Sequence, residues 1–274
     1  MNNPSPDFSR FKLSIPKALG AAFISVVCLQ LIASAINIPS LYWKEFYHLS
    51  LPLSFLVGGG LAIFVLIHFA QTSWASIVDH IWKPTSIALI FLSIILYLLM
   101  LPFAEFLGSM VPTEGSSFLE NLYKNMTETF EMIFDYKIAG FITICILAPI
   151  IEEIIFRGIV LRGLLQNGTS PYAAIVLSSL FFGLAHMNPW QFLGAGFLGA
   201  IFGFVYYRTQ SLWLVMFLHA LNNTISFIYM MKYGTIEESV SDPNDFVGVT
   251  LFFVGALFVG WTIFKLTENQ QKWI

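Results

Sequence analysis

Charge is scarce in this chain: 11% of its 274 residues are charged against 57% hydrophobic, and the mean hydropathy is +0.76. Such a composition excludes an ordinary globular domain and marks a polytopic membrane protein; no nucleic-acid partner is expected. Cysteine is almost absent. Cys28 and Cys145 both fall inside apolar runs, so neither a disulfide framework nor a cysteine-based zinc site can be built. All five aspartates (Asp7, Asp79, Asp135, Asp242 and Asp245) lie in loops or tails, which excludes an aspartyl dyad inside the membrane. There is no HExxH pair, no internal repeat and no soluble domain.

Long apolar runs are what the chain does have, and they predict an all-α protein of about eight transmembrane helices. The expected spans run from about Ala18 to Ile36, Leu51 to Ala70, Thr85 to Phe106, Ile138 to Leu165, Ala173 to Met187, Gln191 to Tyr207, Leu212 to Met231 and Phe246 to Phe264. Ala33-Ser34-Ala35 resembles a signal-peptidase site, but the first run is longer than the apolar part of a typical signal and reads as a span. Gly58-Gly59-Gly60 allows close helix contact or a bend. Pro102 and Glu105 suggest an interfacial kink and a solvated acid, and His68 a helix-to-helix hydrogen bond. Gly196, Gly199 and Gly203 with Ala200 form a small-residue stripe for backbone packing.

Between the spans, residues 1–17 read as a polar arm, poorly ordered or lying on the membrane surface. The loop from Val111 to Tyr136 carries Phe118, Leu119, Leu122, Tyr123, Met126, Phe130, Ile133 and Phe134 at helical spacing, which predicts an amphipathic surface helix. The chain divides into that arm, an N-terminal unit of three spans over 18–136, a core over 137–231, and 232–274 with an acidic loop (Glu237, Glu238, Asp242, Asp245) and the last span. With eight spans both termini share a side. Arg10, Lys12, Lys17, Lys83, Arg162, Arg208, Lys265 and Lys272 fall there, against Lys44, Lys124, Lys137 and Lys232 opposite. The cation bias places the termini in the cytoplasm, as for a multi-pass protein of the cell's inner membrane.

The charges inside the fourth span are the chemical signal. Glu152, Glu153 and Arg157 sit among Ile150, Ile151, Ile154, Ile155 and Phe156, where each bare charge costs several kcal/mol. Glu153 and Arg157, four residues apart, can neutralise each other, whereas Glu152 points ~100° away and has no cation in sequence reach. An unpaired carboxylate in a low-dielectric cleft is a usable base. His186, His219 and Asn223 lie in other spans at a depth compatible with Glu152, and His219 and Asn223 share one helix face. Ser178 and Ser179 are set aside as nucleophiles because they lie two turns from His186 without a glycine-rich setting.

Glu152-Glu153-x-x-x-Arg157, Phe182-x-x-x-His186 and His219-Ala220-x-x-Asn223, with Ala148-Pro149 ahead of the first and Gly158 behind it, resemble in order the three motifs of the CAAX protease and bacteriocin-processing family of intramembrane proteases. The resemblance covers about Ile138 to Phe227. It implies an endopeptidase acting on membrane-anchored or prenylated substrates, with the catalytic core in the fourth to seventh helices. Glu152 would activate water with help from His186, His219 and Asn223 would stabilise the oxyanion, and Glu153 with Arg157 would form the supporting ion pair. Glu152, His186 and His219 are a plausible zinc set, and a metal-independent glutamate mechanism stays open beside it. A transporter or proton relay would also use intramembrane Glu, His and Arg, but the two matching halves expected of one are missing. A non-catalytic role in bacteriocin immunity is the other alternative.

Overall fold

The computed structural model describes residues 11–234, 242 and 245–269, and these form ten helices without strands. They are α1 (Ile15–Asn37), α2 (Tyr47–Ala70), α3 (Trp74–Ile81), α4 (Ile87–Ser109), α5 (Ser117–Asp135), α6 (Lys137–Gln166), α7 (Pro171–Ala185), α8 (Pro189–Thr209), α9 (Leu212–Tyr233) and α10 (Phe246–Leu266). Polar caps begin many of them. Ser73, Ser86, Ser170, Asn188 and Asp245 each accept a backbone N–H from the first turn of the helix they precede, and Pro171 and Pro189 open α7 and α8 where the missing N–H costs nothing. Left-handed residues close α2 at Gln71, α8 at Gln210 and α9 at Gly234.

Every expected span is helical, and seven of the eight are long and apolar enough to cross a bilayer; the chain is a multi-pass integral membrane protein. The fifth is shorter than the rest. Helix α7 has 15 residues, or ~22 Å at 1.5 Å per residue, short of the ~30 Å hydrocarbon core. It stops at His186 because Met187 takes a left-handed φ of 57° and Asn188-Pro189 already starts α8. Trp190 beyond the α7–α8 turn donates to the Val111 carbonyl at 3.1 Å and its ring lies 5.0 Å from that of Tyr123 on α5. Helix α5, the expected amphipathic segment, buries no residue and drapes over this end of the bundle.

Helix α6 is central, touching α1, α2, α3, α5, α7, α8 and α9. Small residues set its distances. A Cβ on Gly59 of α2 would lie 2.5 Å from the Ile151 side chain, next to Glu152. Helices α7 and α8 pack backbone to backbone, since a Cβ on Gly183 would meet the Phe192 carbonyl at 2.8 Å; Gly196, Gly199 and Gly203 all face α7. Pro102 sits buried inside α4, with Glu105 half-buried a turn later near the end of that helix. His68 is a correction: its Nδ1 meets the Phe64 carbonyl of its own helix at 2.8 Å, because its side chain faces outward from the bundle.

The polar arm is more than a tail. Residues 1–10, with Arg10, lie outside the described part, as do Glu237, Glu238 and Lys272, but Phe11 and Leu13 are 1% and 0% exposed. Two residues apart in extended chain, they point the same way. The Leu13 N–H donates to the Gly163 carbonyl at 2.9 Å, and the Arg162 guanidinium lies 5.1 Å over the Phe11 ring. A Cβ at Gly163 would come within 2.6 Å of Leu13 Cγ. Gly163→Val should therefore destabilise the fold by about 1–3 kcal/mol through overpacking, seen as a lower thermal midpoint and faster proteolytic clipping of the arm. Melting and clipping like wild type would show that the arm is not held there.

Helix α3, invisible to hydropathy, joins the same end. Arg162, 3% exposed, donates to the Ser76 carbonyl at 3.0 Å and to Ser76 Oγ at 2.5 Å, while His80 Nδ1 meets the Tyr206 hydroxyl at 3.0 Å and Lys83 donates to Gln210 Oε1. Burial, then the Arg162 and Lys83 charges, push His80 down from 6.5 to about 3. Unfolding frees the imidazole to take a proton at higher pH, so its contribution to stability is complete above 6.5 and is lost as pH falls toward 3. His80→Gln should flatten the decline in thermal midpoint across that window; an unchanged acid limb would contradict the assignment.

Candidate active site

Two wide, π-type turns, Ile142–Leu147 and Ile154–Leu161, flank the α-helical turn Ala148–Glu153 within α6. Such turns recur at functional sites because they release backbone carbonyls from the regular ladder. Here the Ile144 carbonyl accepts Asn223 Nδ2 at 2.8 Å, and the Phe156 carbonyl accepts Ser178 Oγ at 2.8 Å. Side chains from α9 and α7 are thus bonded to the backbone of the helix that carries the acids.

Glu153 is the hub. Fully buried, its Oε1 accepts Arg157 Nη1 at 2.8 Å and His219 Nδ1 at 2.9 Å. A carboxylate against Nδ1 makes that nitrogen the donor and aims Nε2 of His219 toward Glu152, whose Oε2 lies 3.8 Å away. Glu152 Oε2 has no hydrogen-bond partner, while its side chain is 20% exposed. Glu153 Oε2 is likewise buried without a partner; what separates the two acids is that Glu153 is fully buried and engaged through Oε1 by two neighbours, while Glu152 is partly exposed.

The guanidinium is held from every side. Arg157 is 1% exposed, donates through Nη2 to the Gly199 carbonyl at 3.1 Å, and stacks 4.5 Å from the Phe182 ring centroid. Gly199 therefore contributes more than packing: its carbonyl is an Arg157 acceptor, and a Cβ there would lie 3.2 Å from Arg157 Nη2. Phe182 also packs edge-on against His219 and His186, with centroids 5.6 and 5.0 Å apart, and its carbonyl meets His186 Nδ1 at 3.0 Å. That bond makes Nδ1 the donor of the neutral ring and leaves the lone pair on Nε2.

The structure brings Glu152, Glu153, Arg157 and His219 into one cluster, with Asn223 one turn from His219. It does not bring His186 into direct contact with Glu152; Phe182 stands beside both histidines, and no ion pair joins His186 to either acid among the described residues. Nor do three His, Cys, Asp or Glu side chains converge closely enough to hold a metal ion among the described residues. Sequence reasoning missed Asn222, whose Nδ2 donates to Asn223 Oδ1 at 3.1 Å and whose Oδ1 accepts from the Tyr97 hydroxyl at 3.4 Å. A second asparagine in an apolar helix was the available signal.

Comparison with known proteins bears on this group of residues. Residues 134–225, which contain Glu152, Glu153, Arg157, His186, His219 and Asn223, match the family described as Type II CAAX prenyl endopeptidase Rce1-like. The chain is also 36% identical over 114 residues to a Bacillus subtilis (strain 168) protein named "Putative membrane peptidase YdiL". That alignment covers 42% of this chain and 44% of the relative, so the chain matches less than half of the relative's length. No solved structure matches the chain. The two matches support the CAAX-protease family resemblance carried by the three motifs.

Proposed function

We propose that this protein is an intramembrane endopeptidase that hydrolyses a peptide bond of a membrane-anchored substrate. The observation that carries the reading is the asymmetry of the acid pair: Glu153 is fully buried and engaged through Oε1 by Arg157 and His219, whereas the Glu152 side chain is 20% exposed and makes no hydrogen bond among the described residues. A carboxylate so placed can take a proton from water as that water attacks a carbonyl carbon. The electron pair of the new C–O bond moves charge onto the carbonyl oxygen, and collapse of the tetrahedral species expels the amine, which takes up the proton. The Asn223 amide is the donor available to that oxyanion, and His219, its Nδ1–H held by the Glu153 carboxylate, joins it from Nε2 only in the doubly protonated form. His186, with its basic Nε2, is the second residue proposed to orient the water once substrate is bound.

A peptide carrying a prenylated cysteine near its C-terminus is the substrate class suggested by the family's description; an unprenylated membrane peptide is the alternative. We place both termini on the cytoplasmic side of the inner membrane on the cation bias. Two of the cations counted, Arg162 and Arg208, are buried in polar contacts, so the bias also fixes helix ends. The test uses the full chain in liposomes with two internally quenched peptides of one sequence, one farnesylated and one not, and product mapping by mass spectrometry. Cleavage at one bond is expected. Intact peptides in both arms, with folded protein present, would count against the reading.

A further inference from the structure

We infer that Pro149 and Asn222 are positioning residues that lock the Asn223 amide with its N–H edge toward the reacting carbonyl; the inference rests on the protease reading of this site. In the first wide turn of α6 the Ala148 N–H bonds back five residues to the Thr143 carbonyl. The next rung of that ladder would run from residue 149 to the Ile144 carbonyl. Residue 149 is proline and has no N–H to give. The Ile144 carbonyl is left open by this rung, and Asn223 Nδ2 takes it at 2.8 Å. Pro149 thus has a chemical role beyond bending the chain: it keeps a backbone acceptor available beside the acid pair.

The other edge of the amide is held from α9 itself. Asn222 Nδ2 donates to Asn223 Oδ1 at 3.1 Å, and the Tyr97 hydroxyl of α4 donates to Asn222 Oδ1 at 3.4 Å. A flipped Asn223 amide would set its oxygen against the Ile144 carbonyl and its N–H₂ against the Asn222 N–H₂, losing both bonds. One orientation survives. In it one Nδ2 hydrogen is committed to Ile144 and the second remains for an oxyanion, which is the preorganisation such a donor needs. Among the described residues no side-chain hydrogen bond joins Tyr97 or Asn222 to Glu152 or His219, so the effect of Asn222 passes through Asn223.

An alternative is that Asn222 and Tyr97 only tie α9 to α4, and Pro149 only shapes α6. Kinetic coupling separates the two. In liposomes, with the quenched peptide that wild type cleaves, Pro149→Ala and Asn222→Ala should each lower kcat on the order of 10- to 100-fold with KM within about twofold, as expected for a misplaced donor. Asn223→Ala should lower kcat ~10²–10³-fold, and adding either positioning variant to it should cause no further loss. Selective ¹⁵N-asparagine labelling in detergent gives a readout free of turnover: the two N–H signals lost in Asn223→Ala should move together in Pro149→Ala, because an alanine in place of the proline supplies an N–H that competes for the Ile144 carbonyl. Should Pro149→Ala fail to fold, Asn222→Ala is judged by the same criteria. Unchanged kcat, or losses that multiply with Asn223→Ala, would overturn the inference. Wild-type turnover in Glu152→Gln would instead overturn the protease reading beneath it.

Discussion

Glu152→Gln should abolish peptide cleavage and leave the protein folded. The substitution keeps the shape of the side chain and removes the group that accepts a proton; loss of a general base typically costs ~10²–10⁴ in rate, and more where no neighbour can replace it. The nearest candidate, His219, is committed through Nδ1 to Glu153. Stability should hardly change, because Glu152 makes no bond that another residue depends on: Arg157 is satisfied by Glu153 and the Gly199 carbonyl. Quenched-peptide turnover in liposomes beside a thermal-shift trace checks both halves. Turnover near wild type would remove Glu152 from the mechanism, and a large fall in thermal midpoint would mean that its role is structural.

What this prediction needs was only partly legible in the chain. The apolar segments were readable because a bilayer leaves few options: a run of about 20 apolar residues must satisfy its backbone internally, and a helix does so. Glu153 with Arg157 was readable from a spacing of four. The partners of these groups were not. The Gly199 carbonyl, the Ile144 carbonyl and the edge of the Phe182 ring carry no pattern in sequence, since any residue supplies a carbonyl and any core supplies a phenyl ring. Wide turns in α6 likewise leave no mark except Pro149, and a proline after alanine reads equally as a kink. Hydropathy also overlooked α3, which is short and amphipathic, and did not mark where α7 ends, because composition measures apolarity and not where the chain turns back. The docking of Phe11 and Leu13 escaped for a related reason: two apolar residues in a polar arm give no periodicity.

Arg157→Ala should fail in the opposite order, losing the fold before the chemistry. The guanidinium and the Glu153 carboxylate are 1% and 0% exposed and 2.8 Å apart. Truncation strands Glu153 with His219 as its remaining partner and empties the space between Phe182 and the Gly199 carbonyl. Breaking a buried pair from one side costs about 3–5 kcal/mol, enough to unfold a marginally stable protein. Arg157→Lys should be milder without being neutral, because an ammonium on a flexible stem cannot reproduce the fork that bonds Glu153 and Gly199 together while lying flat on Phe182. The decisive variant is the double Glu153→Gln/Arg157→Met, which removes both charges and keeps most of the volume. Its thermal midpoint should recover toward wild type, since no uncompensated charge remains. Its turnover should not recover, because His219 has lost the carboxylate that orients Nδ1. Folded yield, thermal shift and cleavage measured together on these three proteins separate the pair's two duties: a stable Arg157→Ala would refute the cost assigned to the stranded acid, and an active double variant would show that Glu153 acts only as a counter-ion to Arg157.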